Sequence, residues 1–333
     1  MPRPRTGQPR LSGHRAEEQV VADAGQGRAE RTVVGVDGSP GAREALAWAL
    51  ADAARRGVPL EAVSSFPVEL HLSDPFLLDE GQLEAVRADT LERARAQVEQ
   101  VRAETGHTEV PVDVLAVAGP PAPMLLAASE DAGMLVVGSR GRGAVRSLVL
   151  GSVALSSVTH ARVPVVVVHA GADDGEGAGA GTEPLRVVVG LDGSAASGIA
   201  LERAAREAQL LGAELVAVAA YSAAAYWSDA YAVALPPPEQ LAGEVRAGAE
   251  QQVAAARIPD GLSVRVECLE GPAGDVLVEA AAGARLLVVG GHGQGAVRGL
   301  LMGSVALHCV LAGRCPVMVV PEAGETGRHS ADG

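Results

Sequence analysis

Residues 31–57 read RTVVGVDGSPGAREALAWALADAARRG, and residues 185–212 read LRVVVGLDGSAASGIALERAAREAQLLG. Each is a short β-branched run, then Asp-Gly-Ser, then apolar residues at helical spacing. In the first, Ala45, Leu46, Ala49, Leu50 and Ala53 share one face of a helix that opens at Ser39 or Pro40 and ends at Gly57. A continuous apolar strand that feeds a helix is the unit of a parallel sheet, because strands of such a sheet are covered on both faces. Asp37 and Asp192 hold the same place in the two stretches, 192 − 37 = 155 residues apart, so the chain carries an internal repeat.

The rest of each copy continues the alternation. Further strands are expected at PLEAVSSF (59–66), VPVDVLAVAG (110–119), MLVVGS (134–139) and VPVVVVHA (163–170), with helices at 83–106, 121–132 and 152–161 between them. The second copy repeats this order and closes at CPVMVVPE (315–322). Alternating elements with apolar strands imply doubly wound parallel sheets with right-handed crossovers. Ligands of such sheets bind beyond the carboxyl ends of the strands. The units run over 30–169 and 185–321. A Gly/Ala/acidic stretch at 170–184 reads as a flexible linker, and 1–29 and 322–333 as a disordered arm and tail. Arg3, Arg5, Arg10 and Arg15 of the arm read as solvated rather than as partner contacts.

Composition narrows the function. Aromatic residues are 2% of the chain, which argues against base-stacking nucleic-acid modules. A net charge of −14 disfavours nucleic acid and anionic membrane as partners. All 27 basic residues are Arg, so a Walker-type phosphate loop and Schiff-base chemistry both lack their lysine. Cys268, Cys309 and Cys315 form no metal-spaced pair and read as small buried hydrophobes. Residues 1–21 lack an apolar core of the secretory kind, and no apolar run reaches the ~18 residues of a membrane span, so a cytoplasmic location is expected.

A second motif follows the fourth strand of each copy. Residues 138–152 read GSRGRGAVRSLVLGS and residues 290–304 read GGHGQGAVRGLLMGS, every glycine of the pattern G-x2-G-x9-G-S recurring 152 residues on. Gly138 and Gly141, with Gly290 and Gly293, lack a Cβ, so they can adopt positive φ and let a ligand approach the backbone closely. Gly151-Ser152 and Gly303-Ser304 begin helices whose free N–H groups favour an anion. Each Ser is an N-cap, a phosphate donor, or both. Asp37 and Asp192 can accept from ribose hydroxyls, help hold a metal, or simply cap the D-G-S turn. Arg146 and Arg298 stand in matching loop positions as phosphate neutralisers or solvent-facing residues.

The double motif, V-D-G-S after strand one and G-x2-G-x9-G-S after strand four, resembles the universal stress protein family in its tandem, ATP-binding form. The resemblance covers about 30–170 and 185–321. It implies ATP contacts by Asp37, Ser39, Val63, Gly138, Gly141, Gly151, Ser152 and Val153 in the first copy. In the second it implies Asp192, Ser194, Ala217 or Val218, Gly290, Gly293, Gly303, Ser304 and Val305. The copies differ at Ser139-Arg140 against Gly291-His292, with His292 read either as touching the ligand or, in preference, as an exposed loop residue. The expected fold is two tandem doubly wound, Rossmann-like domains, each an open five-stranded parallel sheet in the order 3-2-1-4-5 with helices on both faces. In this family the last strand is often the dimer edge. Pairing the apolar edges at 163–170 and 315–320 within one chain gives a pseudo-dimer, beside which a homodimer is also expected.

The function this implies is an ATP-binding stress regulator that signals by conformation or assembly, with magnesium as an accompanying ion and at most weak ATP hydrolysis. The second reading is a slow ATPase or nucleotide-activating enzyme, and the lack of a lysine and of a base paired with a nucleophile counts against it. The third is a nucleotide-independent interaction scaffold, which the intact glycine motifs argue against.

Overall fold

The computed structural model of the chain describes residues 31–66, 80–141, 150–169, 184–222, 238–293 and 302–322. The N-terminal arm with its arginines, the linker apart from Pro184, the tail apart from Glu322, and Arg146 and Arg298 lie outside the described residues. The first repeat runs β1 (Thr32–Gly35), α1 (Pro40–Arg56), β2 (Leu60–Phe66), α2 (Glu80–Thr105), β3 (Val112–Ala118), α3 (Pro121–Ser129), β4 (Met134–Gly138), α4 (Ser152–His160) and β5 (Val165–Val168). The second runs β6 (Arg186–Leu191), α5 (Ala195–Leu211), β7 (Glu214–Tyr221), α6 (Pro238–Ala255), β8 (Val264–Glu270), α7 (Ala273–Ala280), β9 (Leu286–Gly290), α8 (Ser304–Ala312) and β10 (Val317–Val320).

Local chemistry sets the ends of these elements. Ser39 caps α1 by accepting from Ala42 N–H, Pro40 takes the first helical position, and Gly57 closes the helix in the left-handed conformation. Ser194 and Gly212 do the same for α5. The apolar face of α1 (Ala45, Leu46, Ala49, Leu50, Ala53) is wholly buried, as its spacing requires.

The expectation of two separate open five-stranded sheets is not met. The ten strands form one mixed sheet, in the order β3-β2-β1-β4-β5-β10-β9-β6-β7-β8. All neighbours are parallel except β5 and β10, which pair antiparallel. The cause lies in those two strands. VVVV and VMVV are buried at every position, so neither could stand at a sheet edge with solvent beside it. Val165 pairs with Val319, Val166 with Met318, and Val167 with Val317. Met318 is Val166 shifted by the repeat of 152, so the join is self-complementary about that pair, as in a two-fold dimer interface. Cores on both faces are therefore continuous across the molecule. Helices α1, α2, α5 and α6 cover one, where Val166 and Met318 point. Helices α3, α4, α7 and α8 cover the other, which holds Val165, Val167, Val317 and Val319.

A buried ionic cluster also joins the repeats. Asp52 on α1 and Glu207 on α5, equivalent by the offset of 155, are 3% and 2% exposed. Arg56 lies between them: its Nε donates to Asp52 Oδ2 at 2.6 Å, and its Nη2 donates to Glu207. Arg203 Nε donates to the other Glu207 oxygen at 2.6 Å. Burial works against the Arg56 charge, but the two carboxylates outweigh it and hold the guanidinium above its ordinary range. Arg56→Ala would leave two carboxylates buried with one fewer cation. We expect it to lower the unfolding free energy by about 3–5 kcal/mol in urea titrations.

Candidate functional site

At the carboxyl ends of β1 and β6 the chain turns through Asp-Gly-Ser. Gly38 and Gly193 sit at φ 82° and 77°, a conformation that side chains resist, which is why Gly follows each Asp. Asp37 Oδ1 accepts from Ser39 N–H at 2.9 Å, and Asp192 Oδ1 from Ser194 N–H at 3.0 Å. These are the Asx-type turns expected of D-G-S. In each repeat the second carboxylate oxygen turns to the glycine loop. A Cβ on Gly141 would stand 2.9 Å from Asp37 Oδ2, and one on Gly293 would stand 2.5 Å from Asp192 Oδ2. The structure thus brings Asp and the second motif glycine together in both halves, 104 or so positions apart in sequence, since β1 and β4 are neighbours in the sheet.

The first motif glycine has a different task from the one expected. None of Gly138, Gly141, Gly290 and Gly293 adopts positive φ. A Cβ on Gly138 would meet the backbone of Gly41 at 2.5 Å and Ala42 N at 3.0 Å, so this glycine exists to let β4 approach the first turn of α1. Gly41 in turn leaves room for the Arg140 carbonyl, which a Cβ there would meet at 2.5 Å. In the second repeat Ala196 stands where Gly41 does (196 − 41 = 155), and the approach to Gly290 relaxes to 3.1 Å.

Gly151 and Gly303, not the serines after them, are the N-caps of α4 and α8, and they offer no side-chain acceptor. Their own N–H groups donate to Ser139 and Gly291 carbonyls at 2.8 Å in each case, folding the loop back on itself. The helix's next N–H groups are left toward the rim, with Ser152 and Ser304 exposed at the first helical position. Ser39 is 4% exposed and spent on capping.

In the second repeat, Asp192, Val218, Gly290, Gly293, Gly303, Ser304 and Val305 line one cavity of about 430 Å³. Ser194 is not on its wall. Sheet register settles the second-strand position: Gly35 pairs with Val63 and Gly190 with Val218, so Val218 rather than Ala217 is the counterpart of Val63. Sequence reasoning missed the apolar side of the cavity, Ala220, Ala273, Leu277, Val289 and Met302, and it preferred an exposed loop for His292, which is a wall residue. Only α7 carried a legible signal, a helix starting just beyond a strand's carboxyl end. The second-repeat turn is also held from α6: Gln252 Nε2 donates to Ser197 Oγ at 2.8 Å and to the Ser194 carbonyl at 3.1 Å. In the first repeat, Asp37, Gly141, Gly151 and Ser139 hold the matching arrangement, and residues 142–149 between the glycines lie outside the described residues. Among the described residues no cluster of His, Cys, Asp or Glu has the makings of a metal site, and no helix is long and apolar enough to cross a membrane.

A cavity with an apolar wall, a carboxylate and a helix start at its mouth suits a molecule with an apolar ring, hydroxyls and an anionic chain. Comparisons with known proteins point to one family. The model of the universal stress protein family matches residues 29–169 and 185–321. The universal stress protein Rv2005c of Mycobacterium tuberculosis is 35% identical over 304 residues, spanning 87% of this chain and 97% of its own. A second from that organism, Rv1996, is 34% identical over 311 residues, spanning 86% and 93%. The crystal structure of a universal stress protein from Archaeoglobus fulgidus shares the fold, with a TM-score of 0.61 at 20% identity over 87% of this chain and 98% of the other.

The two packing glycines make an internal contrast. Gly138→Ala forces backbone against backbone and should cost about 1–3 kcal/mol of unfolding free energy, whereas Gly290→Ala, with its looser approach, should cost measurably less. Paired urea titrations check this. Equal losses would mean the difference between Gly41 and Ala196 is not what sets the spacing.

Proposed function

Because the chain belongs to the universal stress protein family, we propose that it is a nucleotide-binding stress regulator that takes ATP in each repeat, with magnesium as a companion ion. The observation that carries the reading is the cavity at Gly290–Val305, where seven motif residues meet one apolar wall. Adenine would lie against Val218, Leu277 and Met302. The Asp192 carboxylate would accept from ribose hydroxyls. The phosphates would follow Gly293 to the N-terminus of α8, where uncapped N–H groups and the helix dipole favour negative charge. Asp37, Val63, Gly141, Gly151, Ser152 and Val153 would do the same in the first repeat.

We take the role to be non-catalytic and cytoplasmic. Binding would be read out through conformation or assembly, and any hydrolysis would be weak. The reading does not extend to nucleic acid or membrane as partners. Cys309 and Cys315 fit no catalytic role: burial pushes both thiols up to about 12, so neither is a thiolate at neutral pH.

Thermal unfolding with and without ATP tests the site. At a hundredfold excess over the dissociation constant, ATP should stabilise the chain by about 2.7 kcal/mol for one site. Asp37→Ala with Asp192→Ala should remove most of the shift. Gly293→Val should remove the second-repeat share, because its side chain would collide with the Asp192 carboxylate. A double aspartate variant that shifts like wild type overturns the site assignment. Steady multiple turnover that disappears in that variant would favour an enzyme instead.

A further inference from the structure

One side chain reaches from beside the first site's glycine loop to the far end of the helix that opens the second site. His169 follows β5, and its Nε2 lies 2.8 Å from the Val310 carbonyl in the last turn of α8. Its Nδ1 is buried and has no hydrogen-bond partner among the described residues. The ring's Cε1 faces the turn after α8, where a Cβ on Gly313 would stand 3.4 Å away. With Nδ1 unpartnered and Nε2 against a carbonyl, the neutral Nε2–H form fits the site, donating to Val310.

Both ends of this bond lead to a nucleotide loop. On one side, Ser139 N–H donates to the carbonyl of Val168, the residue before His169, at 2.7 Å, and Arg140 and Gly141 follow directly. On the other side, α8 is a single nine-residue helix whose first turn, Ser304 and Val305, lines the second cavity. The repeat symmetry is broken here. The counterpart of His169 is Pro321 (321 − 169 = 152), which has neither a ring N–H nor a backbone N–H to offer α4.

We propose that His169 is the positioning residue that couples the two nucleotide sites, holding the glycine loop of the first to helix α8 of the second. This rests on the nucleotide-binding reading above. A ligand that draws the start of α8 inward tilts the whole short helix. The Val310 carbonyl then moves against His169, and with it the strand end that fixes Ser139. No matching bond from Pro321 returns from α4 to the second loop.

The tie is also acid-sensitive. Burial disfavours the imidazolium most, and Arg140 in the first glycine loop disfavours it further. The Val310 and Cys315 backbones oppose them, and the balance leaves the ring's pKa below the ordinary value. The other titratable groups at the junction are the buried thiols Cys309 and Cys315, which stay neutral, and Arg314, which is exposed. A depressed histidine stabilises the joined arrangement fully above its ordinary value, and that advantage is lost as pH falls from there through the depressed one.

Calorimetric titration of the full chain with ATP tests this against single-site references, Asp37→Ala and Asp192→Ala. If wild type gives no heat, the nucleotide reading itself fails, and the coupling with it. If it binds, the two-site isotherm should depart from the two single-site isotherms by an interaction factor of about fivefold or more. In His169→Leu the single-site isotherms should combine without that factor. His169→Gln, whose amide N–H can still donate to Val310, should keep it. From about pH 7.5 to about pH 5.5 the factor should shrink in wild type and hold steady in the Gln variant. Additive wild-type isotherms, an unchanged factor in His169→Leu, or a Gln variant that titrates like wild type would each overturn the proposal.

Discussion

Everything in this molecule depends on two four-residue strands that cannot bear an edge. β5 and β10 are apolar on both faces and buried at every position, so each needs a neighbour on its open side. Each finds it in the other. That single antiparallel pairing makes one sheet out of ten strands, merges the cores on both faces, and brings Asp52 toward Glu207 so that Arg56 can serve both. The outer edges show the contrast. β3 carries Asp113, and β8 carries Arg265, Glu267 and Glu270, with Arg265 bonded to Glu214 on β7 and to Glu267. Charges of this kind discourage further pairing.

The same join places the two candidate sites on opposite rims of one sheet, because the antiparallel pair turns the carboxyl ends of the two repeats' strands in opposite directions. Each is built by parallel neighbours: the first strand of the repeat delivers the aspartate and the fourth delivers the glycines. The sites are not copies. Gly41 admits the Arg140 carbonyl to the first turn of α1, while Ala196 holds the second loop farther off. The second turn is also braced by Gln252 from α6, through Ser197, where the first repeat has Ala42. Arg140 in one loop takes the place that His292 holds in the other. A tandem chain can vary its halves independently in this way, which a symmetric dimer of one repeat cannot.

Much of the local structure was legible. The Ser39 cap, the Gly57 stop and the apolar stripe of α1 could be read directly, because capping and helical spacing are short-range physics. Several residues named from the motifs line one cavity in the second repeat, but some have structural tasks other than those expected. Gly138 and Gly290 were expected to bend the backbone toward a ligand, but they instead make space for a helix that lies nearly a hundred positions earlier in the chain. The serines of both G-S pairs were expected as possible caps, a place their preceding glycines hold. The apolar wall from Leu277 and Met302 escaped notice because Leu and Met in helices and loops carry no pattern that says which cavity they face.

By itself, then, the amino-acid order determined the repeat, the alternation of strand and helix, and the carboxyl-end rim of each repeat on which its aspartate and glycine loop fall. Periodicity, turn chemistry and spacing are properties of neighbours along the chain. Only the tertiary structure decided that the two sheets are one, that Val218 is the partner of Val63, and that His169 reaches Val310. Each of those is set by what pairs across a distance of many residues, where register and packing select one arrangement among several that the local pattern allows equally well.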